Sequence, residues 1–230
     1  AAGSSAKSRQ WLRSARRENP AAVTVLTGCY PQAFPGQAAI PEADIVTGTA
    51  ARGRLLQDLE QYLATRRQVV DIAPHAKGEA FEELPIEKME GRTRAFVKVQ
   101  DGCNRQCAYC IIPKARGPVR SRKQQNIMAE LATLAGQGYK EVVFTGINLP
   151  SYGRDTGTCL PDIVDAAAKV GGIRRIRLSS LDPDFVTDEW VARFAAQEKL
   201  CPHFHLSLQS GCTATLRRMR RPYTADLYAE

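Results

Sequence analysis

The chain has 230 residues, 43% hydrophobic and 24% charged, the balance of an ordinary globular protein with material for one large or two modest domains. No run approaches the roughly 18 apolar residues of a membrane span, so no membrane partner is expected. Seven cysteines, an odd number, with no secretory leader argue against a disulfide framework and for the reducing cytoplasm. The net charge of +8 favours a polyanionic partner, nucleic acid first, although an excess of arginine can also merely solvate a surface.

Residues 5–18 carry arginines among a few apolar positions and predict a helix that Asn19-Pro20 stops. Ala22–Leu26 predicts a short strand running into Thr27-Gly28-Cys29-Tyr30, and Asp44–Val46 predicts a second. Leu55, Leu56, Leu59 and Leu63 recur at helical spacing, so 51–65 predicts an amphipathic helix. Residues 1–72 therefore read as a partial parallel α/β domain of Rossmann or flavodoxin-like kind. Residues 73–92, rich in Pro, Glu and Gly, read as a linker.

A second α/β series fills 93–230. Strands are predicted at Arg94–Gln100, Glu141–Thr145, Ile173–Ser179 and His203–Leu208. Between them come a helix marked by Ile127, Leu131 and Leu134, a helix over Ile163–Val170 closed by Gly171-Gly172, and a helix over Thr187–Gln197 with Thr187 as N-cap. Four βα units in order imply a parallel sheet that begins a TIM-type barrel and stops short of closing it. The chain opens on alanine inside one predicted helix and ends inside another, so it reads as part of something longer.

The first of these strands feeds the run DGCNRQCAYC, in which Cys103, Cys107 and Cys110 stand as Cys-x3-Cys-x2-Cys. Three thiolates on one short loop can hold three irons of a [4Fe-4S] cube and leave the fourth open to a small molecule, whereas four ligands is the closed, electron-transfer norm. Structural zinc takes four ligands. No fourth lies nearby, though a distant Cys159, Cys201, His203 or His205 could supply one.

Side chains two apart on a strand share a face. Lys98 with Gln100, Arg177 with Ser179, and His205 with Ser207 and Gln209 make polar faces, suited either to a ligand-filled barrel or to solvent. Active sites of such folds gather at the C-terminal strand ends. There stand the cysteine loop, Gly146, Asn148, Ser179 and Gln209, with glycine for close backbone approach and uncharged side chains for an amino acid and a ribose. Arg116, Arg120 and Arg122 follow the loop and are candidates for RNA phosphate, which arginine binds in bidentate pairs. The run Arg217-Arg218-Met219-Arg220-Arg221 reads as a solvated helix face.

The stretches VTVLTGCYPQ, FVKVQDGCNRQCAYCIIPKARGPVRSR, EVVFTGINLPSYG, IRLSSLDP and HLSLQSGCTATLRRMRRPYT resemble the radical S-adenosylmethionine (SAM) methylthiotransferases, most closely the branch acting on N6-threonylcarbamoyladenosine beside the tRNA anticodon. The resemblance implies that Cys103, Cys107 and Cys110 ligate a [4Fe-4S] cluster whose open iron binds SAM. One electron, from a donor such as flavodoxin or ferredoxin, then yields a 5′-deoxyadenosyl radical. It implies a second, auxiliary cluster with Cys29 as one of three ligands, which delivers sulfur, and a second SAM, which delivers the methyl group, so that adenine C2–H becomes C2–S–CH3. Tyr109 would stack near the cofactor's adenine or simply pack the loop; Gly146, Asn148, Ser179 and Gln209 would line the cofactor; the partner would be the tRNA anticodon arm. The other two auxiliary ligands are absent from this sequence, and Cys212 stands where the family commonly has Ser. The remaining alternatives are another methylthiotransferase branch, acting on isopentenyladenosine in tRNA or on a ribosomal-protein aspartate, and a non-catalytic RNA-binding module held by a metal.

Overall fold

Short β-branched runs build the first sheet of the computed structural model, which describes residues 2–50, 52–84 and 91–230. Its strands β1 (Val25–Thr27), β2 (Ile45–Thr47) and β3 (Val69–Asp71) pair in parallel in that order, with Val25 beside Ile45 and Ile45 beside Val69. Helices α1 (Ala2–Glu18), α2 (Cys29–Ala33), α3 (Pro35–Ala38) and α4 (Leu55–Thr65) connect and cover it. The strand β3 escapes a reading by pattern because only Val69 and Val70 signal it. Leu26, Ala38, Ile40, Ala43 and Val46 form the core of this unit, with Leu12, Tyr30 and Ile72 packed on it.

The helix expected over 51–65 is present within its described residues, yet its leucine stripe is not the buried face. Leu55, Leu56 and Leu63 are exposed, and the buried position of α4 is Asp58. The core beneath is filled from the strands and from the 38–43 turn, so none of these three leucines has a place in it.

Contacts divide the chain into two units: Ala1–Lys77 with Ile111–Gly117, and Gly78–Cys110 with Pro118–Glu230. The short helix α5 (Ile112–Arg116) thus folds with the first unit although its sequence lies within the second. The expected linker at 73–92 falls partly on residues 85–90, outside the described set; its described residues form no helix or strand.

The second unit holds a mixed sheet in the order β5-β4-β6-β7, from β4 (Ala95–Asp101), β5 (Arg120–Ser121), β6 (Glu141–Gly146) and β7 (Arg175–Leu178). Strands β4, β6 and β7 are parallel, with Val97 beside Phe144 and Phe144 beside Leu178; β5 runs antiparallel at the edge. Helices α6 (Gln124–Gly136), α7 (Leu160–Ala168) and α8 (Asp188–Ala195) follow β5, β6 and β7, and α9 (Thr213–Arg218) and α10 (Ala225–Ala229) end the chain. Val97, Ile127, Leu131, Leu134, Phe144, Leu160, Ile163 and Ile176, all fully buried, knit the helices to the sheet. Thr187 caps α8 by accepting the N–H of Trp190.

The fourth strand expected at His203–Leu208 is reduced to an isolated bridge between Leu181 and Leu206. Leu181 N–H reaches His205 O and Ser207 N–H reaches Leu181 O, each at 2.9 Å. In a parallel ladder the next donor along would be residue 183, which is proline and has no N–H, so the pairing ends there.

Candidate metal centre

Strand β4 carries the chain to Asp101, and Gly102 turns it into the cysteine loop with a left-handed φ of 72° that favours glycine. Asp101 is almost wholly buried. It accepts Gly102 N–H at 2.8 Å, pairs with Lys98 and faces Arg120 at 3.7 Å. Gln100 is fully buried; it donates to the carbonyls of Asp101 and Gly102 at 2.7 Å each and accepts Asn148 N–H at 2.8 Å. Of the polar face expected to meet a ligand or solvent, Gln100 meets neither and Lys98 pairs with Asp101; Gln100 fastens the start of the loop to the residues just after β6.

Two N–H donors point at one cysteine sulfur. The Asn148 amide lies 3.7 Å and the Arg105 backbone nitrogen 3.4 Å from Cys103 Sγ. Cys110 N–H bonds Cys107 O at 3.0 Å, closing the loop's last turn. All three thiols are free and half-buried. Burial pushes the Cys107 thiol up; Arg221 opposes that, while Cys110 and Cys103 add to it, so the sulfurs lie within each other's field.

This donor set suits an iron–sulfur cluster. It offers soft sulfurs on one loop, with N–H groups to bond the charge that thiolate ligands carry. Among the described residues no three His, Cys, Asp or Glu surround a point where one ion could sit. Cys159, a donor for the zinc alternative, has its sulfur engaged by Arg193 at 3.6 Å, and His205 shares a hydrogen bond with Ser180 at 3.3 Å.

The other expected site residues separate. Tyr109 is half-exposed, with its hydroxyl held by Arg221. At Gly146 a Cβ would fall 2.8 Å from Gln100 Oε1 and 3.1 Å from Leu149 Cα, so close packing against Gln100 explains the glycine. Ser179 bonds Phe144 O at 3.0 Å through its N–H, and Gln209 is exposed with a left-handed φ of 66°. Among the described residues neither side chain bonds the cysteine loop.

The three arginines expected at RNA phosphate are engaged within the protein. Arg120 and Arg122 are not presented to a phosphate: both are buried, Arg120 against Asp101 and Glu79, Arg122 against Glu83 at 2.6 Å and Glu130. A guanidinium taken out of water needs carboxylates around it, and these two have them. Arg116, within the first unit, donates its Nε–H to Cys29 Sγ at 3.2 Å. Cys29 opens α2 behind Gly28, whose φ is 104°. It is the one cysteine in that unit's sequence, so the residues present do not make a three-thiolate auxiliary site. Sequence reading passed over Arg105, Asp182 and Arg221, which brace the loop; Arg221 lay hidden in a run of like charges.

Residues 97–230 match the radical SAM superfamily, and the chain belongs to it. Within that superfamily the similarity is to tRNA methylthiotransferases. The threonylcarbamoyladenosine tRNA methylthiotransferase MtaB of Bacillus subtilis is 39% identical over 97% of this chain and 50% of its own length. The protein of the same name from Aquifex aeolicus is 41% identical over 99% and 56%. A tRNA-2-methylthio-N(6)-dimethylallyladenosine synthase of Pelotomaculum thermopropionicum is 36% identical over 95% and 50%. The chain spans about half the length of these curated relatives. Among solved structures, the radical SAM methyltransferase TsrM of Kitasatospora setae is 16% identical, covers 58% of this chain and 27% of that one, and has a TM-score of 0.48. No helix among the described residues is long and apolar enough to cross a membrane.

Proposed function

We propose that this chain is the cluster-binding part of a cytoplasmic tRNA methylthiotransferase that places a methylthio group on C2 of N6-threonylcarbamoyladenosine in the anticodon arm, with a flavodoxin or ferredoxin as electron donor. The observation that carries the reading is the Cys103–Cys107–Cys110 loop with two N–H donors aimed at the Cys103 sulfur. When bound, a [4Fe-4S] cluster with one iron free of protein ligands supplies the one-electron reduction that opens SAM. Cys103, Cys107 and Cys110 would hold it. Asn148 and the Arg105 amide would bond a ligand sulfur and spread its charge, and the Gln100 scaffold would keep Asn148 in reach. The net charge of +8 would draw tRNA in.

Oxygen-free reconstitution with iron and sulfide tests the site: a brown protein with iron and inorganic sulfide is expected, and Cys107→Ala should lose both. A colourless protein that instead retains zinc would overturn the reading. The nucleoside is tested separately by mass spectrometry of tRNA from cells lacking the whole gene. Loss of the methylthio group from threonylcarbamoyladenosine supports the branch named, and loss from dimethylallyladenosine would move the chain to the other.

A further inference from the structure

The run Arg217–Arg221 is only in part a solvated face. Arg217, Arg218 and Arg220 are exposed, whereas the Arg221 side chain is 8% exposed. Arg220 adopts a left-handed φ of 58°, uncommon without glycine, and this turn, closed by Arg221 N–H on Leu216 O at 2.9 Å, brings Arg221 inward.

Each of the three nitrogens of the Arg221 guanidinium then donates a hydrogen bond. Its Nη2 and Nε donate to the Tyr109 hydroxyl at 2.6 and 3.1 Å, and its Nη1 donates to Asp182 Oδ1 at 3.1 Å. The other carboxylate oxygen of Asp182 faces Arg105 Nε at 3.1 Å, and Arg105 Nη2 bonds Asp184 at 2.5 Å. Ala108 N–H bonds Met219 O at 3.1 Å. Three positions of the loop, 105, 108 and 109, are thus tied to 182–184 or 219–221.

We propose that Asp182 and Arg221 are positioning residues that clamp the cysteine loop and aim the ring of Tyr109. The proposal rests on reading this loop as the cluster and SAM site. Tyr109 is 52% exposed, so its ring would otherwise rotate freely and lose that freedom when a planar base stacks on it. Pinning the hydroxyl removes that loss in advance, which is how preorganisation strengthens binding.

The test uses Arg221→Met, Asp182→Asn and Tyr109→Phe; the last removes the hydroxyl from a half-exposed ring and leaves the Arg221–Asp182 ion pair in place. In the metal-free chain, tryptic cleavage of the Arg105–Gln106 bond, followed by mass spectrometry, should quicken several-fold in each variant. In the reconstituted chain, SAM should dissociate with a constant raised roughly tenfold in Arg221→Met. The double variant with Tyr109→Phe should be no weaker than Arg221→Met alone, as for residues acting through one contact. Additive losses, or a Tyr109→Phe variant with unsubstituted cleavage and affinity, would overturn the clamp. If the unsubstituted chain assembles no cluster, the functional reading fails, while the metal-free cleavage rates still decide the clamp.

Discussion

Arg116 donates its Nε–H to the sulfur of Cys29 at 3.2 Å across 87 residues of sequence. The contact lies inside the first unit, because Ile111–Gly117 folds there. Thr49 reinforces it by donating its hydroxyl to Ala115 O at 2.5 Å, and Lys114 stands 5.3 Å from the centre of the Phe34 ring. A residue that reads from sequence as a phosphate ligand therefore spends a hydrogen bond on a thiol.

Arg116→Ala should loosen α5 from the first unit. The lost charged hydrogen bond is worth about 1.5–3 kcal/mol at most, and less here because Arg116 is only half-buried. A lower urea midpoint and faster tryptic cleavage after Lys114 are expected. Unchanged cleavage would show that the segment is held without the Arg116–Cys29 bond.

Asp44 should make the first unit acid-labile. Burial raises its pKa, but Arg16 at 2.7 Å, the Thr24 N–H at 2.7 Å and hydroxyl at 2.9 Å, and Tyr62 at 2.8 Å outweigh that and lower it from 3.8 to about 2. A depressed carboxylate stabilises the fold above its unfolded pKa and loses that contribution as pH falls through the folded one. About 2 kcal/mol should be present at neutral pH and vanish between about pH 4 and pH 2. The gap in unfolding midpoint between the unsubstituted protein and Asp44→Asn should close over that window.

Gly146→Ala should disturb the proposed cluster site from behind. The new methyl meets Gln100 and the Leu149 backbone, and overpacking of this kind costs about 1–3 kcal/mol. Because Gln100 holds Asn148 N–H, the Asn148 amide should also leave Cys103. A lower melting temperature together with faster iron loss to a chelator is expected; the first without the second would separate Gly146 from the site.

Arg122→Met should cost stability and leave RNA affinity alone. It strips a guanidinium from Glu130, whose side chain is 5% exposed, and breaking such a buried pair costs about 3–5 kcal/mol. For the tRNA binding proposed above, the slope of affinity against salt should not change, since no phosphate contact is lost. A slope reduced by about one unit would return Arg122 to the set of expected phosphate contacts.

Where information was local, it could be read along the chain. The cysteine spacing, the Thr187 cap and the alternation of β4, β6 and β7 with helices depend on residues a few positions apart. Leu55, Leu56 and Leu63 obeyed the helical period and still ended on the surface, because a period says that a face exists without saying what covers it. His203–Leu208 alternated like a strand, yet its ladder stopped at Pro183 in a different segment.

The sequence by itself determined the chemistry: three sulfurs within eight residues, at a spacing that depends on no distant part of the chain. Only the tertiary structure decided what each arginine does. Arg116 met a thiol, Arg120 and Arg122 met buried carboxylates, and Arg221 met Tyr109 and Asp182. A guanidinium bonds whatever acceptor folding brings within about 3 Å, and burial makes that partner obligatory, so its role follows from neighbours that are remote in the chain.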